Sequence, residues 1–321
     1  MAVFLQKLLF YFLVAVFFIE VLLIGSRYLD QSDTAAPRKD LFDHRADQKM
    51  ERVHLVEGLG SSKEWELFAQ EAEGFAGQGV WNLQNVKVIF YAQTGDSYVV
   101  QGQRGQIDMG SKDIDVVGQV STQSTNGYQI KTPALHYRSK SKQLTAPDDL
   151  TLWGPKDQSG NQLKLKGVGV TTHLENSLMN IENSVVAERQ LSNGKNLRIQ
   201  GKKAQLSGRS NMVRFYDSVQ MLYDGFTVQG PEALFSYKQG TDIPKAIIVN
   251  GGVQVVDVEK KASAENLQID LSEDRYVFRG SPKVVQGGDE LQGQEIIFTD
   301  GGKKVRIENI RARVKNNEGV K

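Results

Sequence analysis

The chain has 321 residues and no cysteine, which excludes disulfides, thiolate nucleophiles and cysteine-ligated zinc together. Its only histidines are His44, His54, His136 and His173, and no two stand at ligand-like spacing, so each reads as a surface or strand residue. Charge of one sign is missing as well. The 39 basic and 38 acidic residues leave a net charge of +1, no broad field for attracting nucleic acid. Motifs for a nucleophilic serine, a phosphate loop or a dinucleotide fold do not occur; "KGVGV" (166–170) lacks the third glycine and precedes no helical pattern. The adjacent carboxylates Asp148–Asp149 and Glu273–Asp274 fall at expected turn positions, where solvated acids are ordinary. With no catalytic, metal-ligating or cofactor-binding constellation, the sequence reads as that of a protein that is not an enzyme.

Long apolar runs are also lacking, except for one at the start. From Leu8 to Ile24 the only interruption is Glu20. Those residues cover roughly 25 Å as a helix, and Val3 to Leu5, with Lys7 snorkelling, extend it to a bilayer core. The run exceeds the core of a signal peptide and no small-residue cleavage site follows, so residues 1–27 read as one uncleaved transmembrane helix with the bulk of the chain outside the cytoplasm. Glu20 either snorkels near the outer boundary or contacts another transmembrane protein. Residues 28–60, with charges of both signs, read as a tether.

Helical spacing is scarce after residue 75, and period-two alternation takes its place. Val86, Val120, Leu150, Val185, Val219, Val253 and Val284 open similar units, at spacings of about 34, 30, 35, 34, 34 and 31 residues. Within the units, alternation puts Tyr128, Ile130 and Thr132, or Leu267, Ile269 and Leu271, on one sheet face. Between the runs lie "STNGY", "LSNGKN", "DGF", "VQGGDE" and "TDGGKK", which supply Asn, Asp or Gly where positive φ is needed. The expected fold is all-β: repeated antiparallel strand pairs forming an extended, open, twisted β-jelly roll behind the transmembrane helix. A propeller blade would need four strands per unit, and each unit has room for two or three. "KEWELFAQEAEG" (63–74) reads either as a short helix or as the leading strand.

Two stretches carry a family resemblance. "YVVQGQRGQIDMGSKDIDVVGQVSTQSTNGYQIKTPALHYRSKSKQL" (98–144) and "LKGVGVTTHLENSLMNIENSV" (165–185) resemble LptC, the periplasmic component of lipopolysaccharide export, a family with a single amino-terminal anchor. "VQMLYDGFTVQGPEALFSY", "AIIVNGGVQVV" and "FRGSPKVVQGGDELQGQEIIF" resemble the related LptA, or OstA-like, module. The chain reads as a long LptC or as an LptC–LptA fusion. The expected divisions are the anchor (1–27), the tether (28–60), an LptC-like jelly roll (61–190), an LptA-like jelly roll (191–314) and a tail (315–321).

The resemblance implies a single-pass inner-membrane protein whose periplasmic part accepts lipopolysaccharide from an inner-membrane ABC transporter of LptB, LptF and LptG type. It would pass the lipid to an LptA-like bridge or an outer-membrane acceptor. Lipid A acyl chains would lie in an apolar groove, for which the inward-alternating Ile107, Met109, Ile130, Phe215, Phe235, Tyr237, Ile269 and Phe298 are candidates, with Glu20 a candidate contact to a transmembrane partner. The competing reading is an envelope scaffold or docking rod that binds no lipid.

Overall fold

The computed structural model describes residues 48–313, apart from 61, 75–78, 93–94, 176–177, 192–193, 208–209, 238–243, 300–303 and 309–310. The expected anchor, Glu20, His44 and the tail lie outside these residues. Among the described residues no helix is long and apolar enough to cross a membrane, and the chain forms 21 strands and one 3-10 turn at Ser139–Ser141. The strands make one antiparallel meander.

In the front part these are β1 (Gln48–Leu59), β2 (Ser62–Gly74), β3 (Val80–Tyr91), β4 (Ser97–Asp108), β5 (Ile114–Ser124), β6 (Gln129–Arg138), β7 (Gln143–Trp153), β8 (Lys164–His173) and β9 (Leu178–Gln190). The chain continues through β10 (Asn196–Gly201), β11 (Lys203–Ser207), β12 (Met212–Tyr223), β13 (Phe226–Tyr237), β14 (Pro244–Val256) and β15 (Lys260–Asp270). It ends in the short β16 (Arg275–Arg279), β17 (Lys283–Gln286), β18 (Asp289–Gln292), β19 (Glu295–Thr299), β20 (Lys304–Glu308) and β21 (Arg311–Arg313).

One expectation changes here and one alternative is decided. From Gln48 onward the charged tether is strand β1, paired along its length with β2, because Val53 and Leu55 alternate inward beneath its charges. The 63–74 segment is β2, the strand alternative, with Trp65, Leu67, Ala69 and Ala72 buried on one face. The turn chemistry behaves as expected where the ladder closes tightly. Tyr223 pairs with Phe226 across Asp224–Gly225, and Gln286 with Asp289 across Gly287–Gly288. All four turn residues have positive φ, the geometry that matches strand twist in a two-residue hairpin.

Val284 stands at the start of the short β17, but the other six repeat markers lie inside strands and do not open them. Val86, Val120, Val185, Val219 and Val253 each directly follow a residue of positive φ (Asn85, Gln119, Ser184, Ser218 and Gly252). Leu150 follows the register shift between Ala146 and Asp149, and Val284 stands just beyond Gly280–Ser281, both of positive φ. All seven are buried. The sequence period therefore records a bend, where a bulge re-aims the strand and the next side chain drops into the interior. Asp148 and Asp149 belong to this bend of β7, not to a turn. Pro133, Pro147 and Pro231 fall in the same line, where the ladder needs no donor.

The bend divides each long strand into two arms, and arms on one side pair only with arms on that side. Two layers result, joined along the bend. The first holds Val80–Gln84, Met212–Tyr216 and Glu232–Tyr237; the second holds Val86–Tyr91, Val219–Tyr223 and Phe226–Gln229. On β4, β8 and β13 the inside of the bend is glycine because nothing larger fits. A Cβ on Gly102 would lie 2.4 Å from Val116 Cγ1, on Gly167 2.6 Å from Ile181 Cγ2, and on Gly230 2.7 Å from Val249 Cγ1.

Buried apolar side chains form two cores, one from Val53 to Leu144 with Leu174, the other from Ala146 to Ile296. The change of core falls on β7, and residue 190, the expected module boundary, lies within the second core between Ala187 and Leu191. The sheet itself runs on unbroken there, since β9 pairs with β8, β10 and β11. Among the described residues its ends do not pair with each other: β1 pairs with β2, and β20 with β19.

Candidate functional site

Strand register lines up the inward side chains into rows that cross the whole sheet. On the second layer Leu55, Leu67, Val88, Val100, Thr122, Ile130, Leu152 and Leu165 are successive cross-strand partners. The same row continues through Ala187, Ile199, Met221, Val228, Val255, Ala262, Val284 and Leu291. Thr122 is its one polar member. An uninterrupted row of this kind needs period-two alternation and correct register in every strand, because a one-residue slip would turn a strand's apolar set outward.

The first layer carries a matching row at its rim, away from the bend. Trp81, Ile107, Ile114, Tyr137 and Leu144 succeed one another, and after Thr172 the row continues through Met179, Leu206, Val213, Phe235, Ile247, Ile269, Tyr276 and Phe298. Four of the groove candidates, Ile107, Phe235, Ile269 and Phe298, thus stand in one line. Phe215 lies in the next row inward, paired with Ala233, and Ile130 lies on the opposite layer. Tyr237 is one alternation beyond Phe235, and Met109 follows the end of β4; both are partly buried against the cores.

The interior is filled by these side chains. Ile107, Phe215, Phe235 and Ile269 are buried, while Ile130, Tyr237 and Phe298 are partly buried. Phe215 and Phe235 meet edge to face at 5.6 Å, and burying each contributes about 1.5–3 kcal/mol. Among the described residues, aromatic rings of the two layers meet at two places. Phe90 packs on Tyr137 at 4.7 Å in the front core, and Phe226 on Tyr276 at 5.6 Å in the rear core.

Polar groups flank both contacts, and no local motif marks them. Lys142, in the turn after β6, is ion-paired with Glu64 on the opposite layer. Burial acts to lower the Lys142 pKa, but Glu64 and the Tyr137 phenol outweigh it and raise it overall. Lys195, in the turn after β9, lies 2.8 Å from Asp224 of its own layer and 3.3 Å from Asp274 of the other. The Tyr276 hydroxyl donates to Asp274 Oδ1 at 2.9 Å, so burial and that carboxylate both push the phenol's pKa up. Asp274 therefore joins the two layers, where the sequence reading had a solvated turn acid. Nothing local in "SEDR" or "SNGKN" marks the pairing of residues 79 positions apart.

Other charged groups hold strands within a layer. His136 Nδ1 lies 2.7 Å from Asp115 Oδ1, which also accepts from Arg138 Nη1 at 2.8 Å. Burial pushes the Asp115 carboxyl up, and these two partners bring it below its ordinary value. Glu66 accepts from Lys63 and Tyr91 and pairs with His54, which hold its pKa at about 2. No cluster of three metal-ligating side chains occurs among the described residues.

Comparison with known proteins gives two family matches. The model described as "Lipopolysaccharide-assembly, LptC-related" matches residues 13–189, more than half of the chain. The model described as "LptA/(LptD N-terminal domain) LPS transport protein" matches residues 198–302. No curated protein matches the chain. Among solved structures, it is similar to LptH of Pseudomonas aeruginosa, the LptA-homologous periplasmic component of the lipopolysaccharide transport device. The identity is 15% over 37% of this chain and 95% of that one, with a TM-score of 0.34.

Proposed function

The chain belongs to the LptC-related family of lipopolysaccharide assembly, with an LptA-like module behind it, and we propose that its two layers form one continuous apolar groove for lipid acyl chains. It is a non-enzymatic, periplasmic protein of lipopolysaccharide transport. The finer reading is that residues 1–27 anchor it in the inner membrane, where it accepts the lipid from an ABC transporter of LptB, LptF and LptG type and delivers it to an LptA-like bridge or an outer-membrane acceptor. Residues 61–190 act as the LptC-like receiver and 191–314 as the LptA-like extension.

One observation carries the groove: the inward apolar row from Leu55 to Leu291 passes through both cores with no charged residue. A lipid chain gains about 0.8 kcal/mol per buried methylene, so a lining without charge suffices for binding. A lining of the same kind from strand to strand keeps successive positions nearly level in free energy. Net movement then requires work from the transporter, and this chain has no nucleotide motif of its own.

A photo-crosslinking residue at Phe235, buried in the rim row, is expected to capture lipopolysaccharide in cells with an active transporter. One at the adjacent Ser236, on the other face of β13, is expected to capture none. Capture at neither position would favour the rod, for which a filled interior is also suitable. The anchor is tested separately: the full chain should stay with membranes through an alkaline wash, and release of a soluble chain beginning near Ser26 would contradict it.

A further inference from the structure

The cross-layer ion pairs share a pattern. Lys142–Glu64 and Lys195–Asp274 each join a turn lysine to a carboxylate of the opposite layer, 78 and 79 positions apart in the sequence. A third, Lys112–Glu57 at 3.6 Å, joins the turn after β4 to the second arm of β1. The first two stand beside the aromatic contacts Phe90–Tyr137 and Phe226–Tyr276 that close the rims.

This inference rests on the groove reading. With the interior filled, an acyl chain enters only if the rims part, and parting them separates each lysine from its carboxylate. The Lys142 and Lys195 side chains are 28% and 22% exposed, so a departing carboxylate leaves one acceptor site of a partly desolvated ammonium open at the rim, although Lys195 keeps Asp224 of its own layer at 2.8 Å. A ligand carrying its own anion fills that place; a neutral one does not.

We propose that Lys142–Glu64 and Lys195–Asp274 are latches that hold the groove shut, and that the anionic headgroup of an amphiphile opens it by replacing the carboxylate on the lysine. The two latches divide the length of the sheet between them, one per core. Their polarity is opposite: the front lysine belongs to the first layer and the rear lysine to the second, so the headgroup sites lie on opposite lips.

The absence of native cysteine makes a direct test possible. In the full chain, Lys195→Cys and Asp274→Cys are joined by a reductively cleavable bis-maleimide, with the photo-crosslinking residue at Phe235. A tether between Glu188→Cys and Arg198→Cys, neighbouring strands of one layer, is the control. The probes are a phosphate-bearing amphiphile and a neutral one with the same chains. The rim tether should abolish capture of both until it is cleaved, while the control tether changes nothing. Separately, Lys142→Gln with Lys195→Gln should lower the preference for the anionic probe by about threefold to fivefold, in the range that partly exposed ion pairs supply. Equal capture with the rim tether intact overturns the latch, and an unchanged preference in the glutamine variant overturns the headgroup exchange. Failure of the control-tethered protein to capture any probe instead removes the groove reading, and the latch with it. Recovery on cleavage shows that the tethered protein was folded.

Discussion

From β1 to β9 every strand crosses the bend in one piece, whereas in the rear half the ladder breaks there repeatedly. It breaks at Lys202 between β10 and β11, around Gly280–Ser281 between β16 and β17, and around Gly293 between β18 and β19. The layers nonetheless continue through both halves, since β10 and β17 pair on one side of the bend and β11 and β16 on the other. A layer therefore requires paired arms and a buried face; continuity of each strand across the bend is optional. A bulge that costs one ladder bond preserves the strand, and several unpaired residues divide it, but in both cases the same interior row is filled.

The largest expected effect comes from emptying one core at a time. Phe90→Ala in the front and Phe215→Ala in the rear should each cost about 3–5 kcal/mol. Because β7 gives Leu144 to the front core and Ala146, Leu150 and Leu152 to the rear one, calorimetry should show one transition moved by either variant. Two transitions, each answering to its own substitution, would divide the sheet at β7 and make the halves independent.

A smaller effect tests the bend itself. Gly102→Ala brings a methyl to 2.4 Å from Val116 Cγ1, and Gly230→Ala to 2.7 Å from Val249 Cγ1. Each should destabilise by about 1–3 kcal/mol, the front variant more, as overpacking does when a neighbour must shift. Adding Val116→Ala to Gly102→Ala should recover part of the loss in a urea titration. A loss of equal size without recovery would point to backbone strain, not crowding.

The smallest effect distinguishes the halves by pH. Glu66, in the front half, has its pKa held at about 2 against an ordinary 4.5. A carboxyl with a depressed native pKa contributes stability above its unfolded value and loses it as pH falls through the native one. Between about pH 4.5 and 2, acid unfolding of Glu66→Gln should therefore be shallower than that of the parent chain. A parallel acid limb in the two proteins would show that Lys63, Tyr91 and His54 hold nothing specific to the ionised form.

Much of this was legible in order but not in place. The repeat was visible as Val86, Val120, Leu150 and their successors, because a bend of fixed kind needs the same small or polar residues followed by one buried apolar residue. That all but Val284 lie inside strands was not visible, since a bulge and a turn draw on the same Gly, Asn, Asp and Ser chemistry. Strand β1 was hidden by its charges, which face water while Val53 and Leu55 face inward. Asp274 looked like an ordinary turn acid because its partner Lys195 belongs to another repeat.

By itself the sequence determined the all-β class, the count-like rhythm of the bends and the inward parity of Ile107, Phe215, Phe235, Ile269 and their kind. These depend on side chains a few positions apart, and period-two alternation fixes them locally. Only the tertiary structure decided that Ile107, Phe235, Ile269 and Phe298 share one row, that one sheet holds two cores meeting on β7, and that lysines reach carboxylates 78 and 79 residues away. Those outcomes depend on register summed over many strands and on how far one layer is staggered against the other. Neither quantity is set by any single stretch of chain.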